Sequence, residues 1–318
     1  MLKNINKLKM LILFVLSIIS ILIYQFIFID MKYFDYAMSI RTPKLLAMLI
    51  ASFCIGTASI VFQSIINNRI VTPCLLGMNS LYILLHTALT FFLGSSHFLT
   101  ANKEVSFVTD IILMGFMGTI IYGTLFKKTN YNILYVLLTG TVLATFFTSI
   151  SNTLTRKMDP NEYDALLSKL VAGFDHVNSE LLLLAFILII VTVLVFWKDI
   201  KLLDVLVLGR NQAINLGVDF DRVIKRLLIA VTFFITIATA LVGPISFLGL
   251  ILANLARELF KTYKHIYLLI GSFLFGVILL IGGQSAIEHV LGFGTQISVF
   301  INLFGGMYFL YLVLRNKS

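Results

Sequence analysis

Uninterrupted apolar runs of nearly bilayer thickness decide what this chain can fold into. Residues 10–29 form one run, and residues 181–197 form another in which Thr192 is the single clearly polar residue. A helix crosses the hydrocarbon core, about 30 Å thick, with about 20 apolar residues. Charge is correspondingly scarce: 12% of residues are charged, where soluble domains carry roughly a quarter. The chain reads as an all-α integral membrane protein, a single transmembrane domain over residues 1–318. Lys3, Lys7 and Lys9 precede the first run, which ends in IFID without a small-residue cleavage site, so it is expected to stay as a membrane helix. Cys54 and Cys74 have no metal or redox spacing and read as small buried hydrophobes.

Spans are expected near 10–29, 45–66, 75–93, 106–126, 132–154, 181–197, 227–242, 245–260, 266–283 and 296–314. Gly243-Pro244 separates the seventh from the eighth, because proline and the residue before it resist helix. One helix over 227–260 would be about 50 Å long, well beyond the core. Basic residues agree. With ten spans and an inside N-terminus, the outer segments hold only Lys32, Arg41, Lys44, Lys103, Arg156, Lys157 and Lys169 of the 24 Lys and Arg residues. Merging the two spans moves Arg257, Lys261, Lys264, Arg315 and Lys317 outside and erases the bias. Both termini are therefore expected in the cytoplasm.

Inside the spans, the groups that drive ion-coupled transport are scarce. Asp110 is expected near the outer end of the fourth span and Glu288 in the loop after the ninth, neither with a basic partner in its own span. No GxxxxGK[ST] loop is present to hold a nucleotide. His86, His97, His176, His265 and His289 are scattered and read as packing or interfacial side chains. No metal site, cofactor site or nucleic-acid surface is expected. A chain of this kind that moves a solute uphill draws its energy from another chain.

GRNQAINLGVDFDR (209–222) is the exception to the apolar pattern. Gly217 can end a first short helix in the left-handed conformation, and Asp219 or Asp221 can cap a second. Leu208, Ile214, Leu216, Val218 and Phe220 can form one apolar face, with Arg210, Asn211, Gln212 and Asn215 turned outward. An ordinary solvated loop is the alternative reading of the same residues.

LGRNQAINLGVDFDRV closely resembles the cytoplasmic coupling segment of the iron-siderophore and vitamin B12 (FecCD-like) permeases of ABC importers. ALVGPISFLGLILANLAR (240–257) is similar to that family's GPIxFxGLxxPHxxR block. The segment 41–80, from RTPK to PCLLGMNS, is similar to its R-x-P-R…G…Q…N-P-L-x-x-P-x-L-L-G pattern, and LFGGMYFLYLVLR to its last span. Ala253-Asn254 stand where the family has Pro-His, and Asn68-Arg69 where it has Asn-Pro.

The resemblance implies the ten-span, vitamin B12 permease-like (type II ABC importer) fold in a bacterial plasma membrane. It implies a second permease subunit, identical or related, two cytoplasmic ATP-binding subunits and an extracellular siderophore-binding protein. Hydrolysis would belong to the partner, so the chain itself is expected to be no enzyme. The cargo would be an iron(III)-siderophore complex; vitamin B12 or haem import by the same machinery is the alternative, and a lone ion-coupled transporter is the rival from another class. Gly209, Arg210, Ala213, Leu216, Gly217 and Val218 occupy the positions that fit the ATPase groove, within coupling helices at about 208–222.

Arg41 and Lys44 match the basic pair that meets acidic residues of the binding protein, an attraction that orients encounter. The alternative is a pair of helix-end cations reaching lipid headgroups. A further basic family position after the ninth span is absent, where the chain reads GGQSAIEHV. Thr141, Thr145, Thr148 and Asn152 recur on one helical face and can line a translocation path. Hydroxyls bonded to their own backbone or to a neighbouring helix are the alternative. Small residues at Ala47, Ala51, Ser52, Gly56, Gly115 and Gly118 suit close helix packing in lipid. The outer segment 156–180, in which carboxylates outnumber cations, is long enough for a short surface helix.

Overall fold

The computed structural model describes residues 2–27, 29, 31–129, 133–174, 177–290 and 296–315. Its elements are helical throughout. α1 (Leu2–Phe26) leads through a 3-10 turn at Met31–Tyr33 to α2 (Phe34–Ile66), and a second turn at Cys74–Leu76 leads to α3 (Met78–Leu93). Then come α4 (Phe98–Ala101), α5 (Lys103–Lys128), α6 (Ile133–Thr155), α7 (Pro160–Leu170) and α8 (Ser179–Lys201). The short α9 (Leu203–Leu206) and α10 (Arg210–Asn215) precede α11 (Phe220–Val242), α12 (Leu248–Leu259), α13 (His265–Val290) and α14 (Ile297–Arg315).

Eight of these, α1, α2, α5, α6, α8, α11, α13 and α14, are long and apolar enough to cross a membrane. α3, with 16 residues, spans about 24 Å and α12, with 12 residues, about 18 Å. Each is shorter than a bilayer core, so the described residues hold eight helices of spanning length where ten spans were expected.

α2 is the central helix, with α8, α11, α12 and α13 packed around it. Lipid removes most of the hydrophobic drive for helix association, so close approach of backbones has to supply it. Small residues on α2 provide that approach: Ala47, Ala51 and Ser52 are fully buried, and Gly56 lies against Ser272 of α13. Phe53 then meets Phe234 and Phe273 edge-on, with ring centroids 6.0 and 5.9 Å away. α1 packs along α13, α5 along α11 and α6 along α3. Cys54 and Cys74 are buried and unpaired.

The break at Gly243-Pro244 is present and has a tertiary cause as well as a local one. Gly243 takes φ +84°, and a Cβ there would stand 2.8 Å from the Ala172 Cα. The Gly173 amide donates to the Val242 carbonyl at 3.0 Å, so the segment after α7 passes directly against the end of α11. α7 is the surface helix expected in 156–180. Asp159 caps it by accepting from the Asn161 amide at 2.9 Å, and Pro160 takes the first helical position, where no N–H is needed.

The bundle thus has two ends. The α7 end carries α4, α7 and the break at Gly243. The α10 end carries α9, α10, Asn6 near the start of α1 and Leu312 near the end of α14, so both termini of the described chain lie there.

Candidate functional site

The polar island is a folded element. Leu203 and Leu206 of α9 are buried, which seats that turn on the bundle, and α10 follows after Gly209 at φ +96°. Ala213 is fully buried and anchors α10. Gly217, at φ +81°, ends it: its amide donates to the Ile214 carbonyl at 2.9 Å, and the Val218 amide donates to the Ala213 carbonyl at 3.0 Å. Those two bonds are the Schellman pattern, which needs a left-handed residue at the turn. A Cβ on Gly217 would meet nothing within 4 Å, so conformation, not space, selects glycine there.

Both expected aspartates act. Asp219 caps α11 by accepting from the Arg222 amide at 3.2 Å, while Asp221 pairs with Arg210 at 2.9 Å and clamps α10 to α11. Arg226 reaches Asp199 at 2.8 Å and fastens α11 to α8. The expected single apolar face is corrected. Ala213 faces inward, Val218 and Phe220 are half-buried, and Leu208 (51%), Ile214 (45%) and Leu216 (63%) are exposed beside the polar side chains. The element is too short to turn five apolar residues one way, so it keeps a small anchor inside and presents three large apolar side chains outward.

A polar network that the sequence reading did not anticipate lies beneath it. Asp204 Oδ1 of α9 accepts from the His265 amide at 2.8 Å and lies 2.6 Å from His265 Nδ1. His265 Nε2 is 2.9 Å from Ser64 Oγ on α2, and Arg257 of α12 donates to the same oxygen at 2.9 Å. Arg257 also donates to Gln63, whose amide donates to the Arg69 carbonyl at 2.8 Å. Asn254 donates to that carbonyl at 2.9 Å. The departures Asn254 and Arg69 therefore touch, which no sequence spacing links: 185 residues separate them. Ala253 is buried beside Asn254, and Asn68 accepts from the Ile70 amide within its own turn.

At the α7 end, Arg41 and Lys44 do not form an open basic pair. Arg41 is half-buried, with its guanidinium donating to the Tyr24 carbonyl at 2.8 Å and the Ile27 carbonyl at 2.9 Å. It closes the carboxyl end of α1, where a cation is favoured. Lys44 is 8% exposed and lies 3.3 Å from Glu288, which also accepts from Tyr24 and Gln284. In the single chain Lys44 accordingly presents no charge at the surface, where the resemblance implied an open basic pair with Arg41. Glu288 lies inside α13, not in a loop, and it has a basic partner on another helix. His86 is likewise no lone packing residue, since its Nε2 lies 2.9 Å from Asp110 on α5 and both are buried. His265, bonded to Asp204 and Ser64, also departs from the packing expectation. His176 is outside the described residues.

Thr141, Thr145, Thr148 and Asn152 share one exposed face of α6. Each threonine hydroxyl donates to its own helix, Thr141 to Leu138, Thr145 to Thr141 and Thr148 to Ala144. Thr148 also lies 3.3 Å from Ser80 on α3. The face is polar, continuous and uncovered in the single chain. Among the described residues no group of three or more His, Cys, Asp or Glu residues is placed to hold a metal ion.

Comparison with known proteins agrees with this architecture. The family model described as the FecCD transport family matches residues 4–315. The petrobactin import system permease protein YclO of Bacillus subtilis (strain 168) is 43% identical, over 98% of this chain and 99% of the relative. The petrobactin import system permease protein FatC of Bacillus anthracis is 33% identical, over 91% of this chain and 82% of the relative. A solved structure described as an inward-facing conformation of a metal-chelate type ABC transporter shares the fold. Its TM-score is 0.78 at 21% identity, with 99% of each chain covered. The chain belongs to the FecCD transport family of membrane permeases.

Proposed function

We propose that this chain is the permease subunit of an ATP-driven importer for an iron(III)-siderophore complex. A cytoplasmic ATPase would drive it, an extracellular binding protein would supply it, and a second permease subunit would complete the path. The observation that carries the reading is the α9–α10 element: a clamped, glycine-terminated helix with Leu208, Ile214 and Leu216 exposed where the rest of its turn is polar. Exposed apolar side chains on a rigid polar mount suit docking into a protein groove. The relatives named as petrobactin permeases support the chelate class.

On this reading Gly209, Arg210, Ala213, Leu216, Gly217 and Val218 form the coupling element. The α10 end and both termini face the cytoplasm, in keeping with the basic-residue bias. Ten crossings result if α3 and α12 complete the set, α12 together with the extended segment before it. The exposed Thr141–Thr145–Thr148–Asn152 face of α6 is then free to line a path against the second permease. Arg41, which sits at the outer surface with α1, remains a candidate contact for the binding protein.

The buried pairs His86–Asp110 and Lys44–Glu288 favour one rival, an ion-coupled transporter, because ionisable groups at membrane depth commonly mark ion routes. Reconstitution separates the two readings. Vesicles holding the permease, its ATPase and binding protein should accumulate iron-siderophore only with ATP. Uptake by the permease alone under a proton or sodium gradient would reject the ATP-driven reading. Accumulation of cobalamin or haem in place of the iron complex would reject the cargo.

A further inference from the structure

A cavity of about 1170 Å³ opens at the α10 end between α1, α12, α13 and α14. Arg69, Arg257, Lys261 and Lys264 line it, and Glu258 is the one carboxylate among the lining residues. Among the described residues none of these four cations makes an ion pair. The half-buried Arg257 donates only to the neutral Gln63 and Ser64. A guanidinium drawn partly out of water without a counter-charge is unfavourable, and neighbouring like charges make it more so. An anion in the cavity removes both costs.

The walls indicate where that anion comes from. α1 and α14 flank the cavity through Asn6 and Leu312, and these helices turn Leu8, Leu11, Leu310 and Leu314 outward. Large apolar side chains exposed along a spanning helix suit contact with acyl chains wherever no second subunit covers them. Tyr263 and Tyr267 stand in the same lining, and tyrosine concentrates where headgroups meet hydrocarbon. The site therefore combines cations, tyrosines and helices with exposed apolar faces.

We propose that this cavity binds the phosphate of an anionic phospholipid headgroup from the leaflet at the α10 end. Basic pockets between helices at such depths hold headgroups by the same chemistry. Ser64, which fixes Arg257, also touches His265, and His265 holds Asp204 of α9. A bound headgroup thereby presses α12 toward α2 directly beside the coupling element. The site depends on the chain lying in a membrane but not on which solute it carries.

The test uses the purified full-length chain in detergent, titrated with fluorescent phosphatidylglycerol or phosphatidylcholine. Phosphatidylglycerol should bind at least about tenfold more tightly. Lys261 and Lys264 are exposed and make no structural bond through their side chains in the described set, so K261Q/K264Q should fold normally. It should lose about fivefold in phosphatidylglycerol affinity for each lysine, with K261R/K264R restoring it. Inorganic phosphate that displaces the fluorescent lipid would support the phosphate site, and the lipid-to-phosphate affinity ratio tells which source dominates. Tighter binding of free phosphate than of the lipid would overturn the lipid assignment. Equal affinity for the two lipids, or an unchanged preference in K261Q/K264Q, would overturn the site. So would a double variant that weakens ATPase association while keeping its lipid preference, since the cavity would then be a protein contact.

Discussion

The buried charges at the α7 end and the cations lining the cavity at the α10 end are treated differently. At the α7 end Lys44 meets Glu288, Arg41 meets the last carbonyls of α1, His86 meets Asp110, and Lys169 donates to the Thr100 carbonyl. Burial holds the Lys169 amine below its ordinary pKa, with the charges of Asp110 and Glu162 opposing that shift. At the α10 end Arg69, Arg257, Lys261 and Lys264 make no ion pair among the described residues, with Glu258 the one carboxylate in their shared lining, and Leu208, Ile214 and Leu216 beside α10 are exposed. The first set is neutralised within the chain, and the second is not. A fully buried charge is costly without a counter-charge, whereas an exposed one stays solvated without it.

Breaking the neutralised set at the α7 end should have the largest effect. Lys44→Met leaves Glu288 buried without its cation, and losing one partner of a buried pair costs about 3–5 kcal/mol. Thermal unfolding in detergent should show a large destabilisation, and Lys44→Met with Glu288→Gln should recover much of it. Equal melting of the single variant and the parent would mean that Glu288 is not held by Lys44.

A change at the α10 end should spare the fold and strike coupling. Gly217→Val forces a β-branched residue into the left-handed region, which costs about 1–2 kcal/mol locally and tilts α10 away from its mount. Substrate uptake by the assembled importer should fall at least about tenfold, while permease expression and basal ATPase activity persist. Full uptake by this variant would remove Gly217 from the coupling role.

The smallest effect belongs to the clamp between α10 and α11. The Arg210–Asp221 pair is about half exposed, so Arg210→Ala should change stability by less than about 1 kcal/mol. Its effect on uptake should be smaller than that of Gly217→Val and should shrink as salt rises. A loss of uptake as large as that of Gly217→Val would show that the ion pair, and not the turn, sets the position of α10.

The legible part of the fold was whatever follows from composition and local conformation. Apolar runs located the long helices, Gly243-Pro244 located the break, and Gly217 located the turn after α10, with Asp219 or Asp221 offered as the cap of the next helix. The Thr141–Thr145–Thr148–Asn152 stripe was also legible, because helical period alone places those residues on one face. Less was visible where distant segments meet. The helix bearing Glu288 continues past its apolar core, so hydropathy ended it early and put the carboxylate in a loop. Lys44 read as a surface cation because a basic residue near a helix end usually is one. His86 and Asp110 sit on different helices, 24 residues apart, with nothing local to join them.

By itself the sequence determined that the chain is a helical membrane protein and where its main helices run, and it offered a capped polar element at 209–222 beside an ordinary loop. These are consequences of transfer free energy and backbone preference, which act on neighbours along the chain. The tertiary structure alone decided that Lys44 is spent on Glu288, that Asn254 meets the Arg69 carbonyl, and that His265 joins α9 to α2. Those partners lie between 61 and 244 residues apart. Their pairing depends on which helix faces pack together, and burial then requires each polar group to be satisfied by whatever that packing brings within reach.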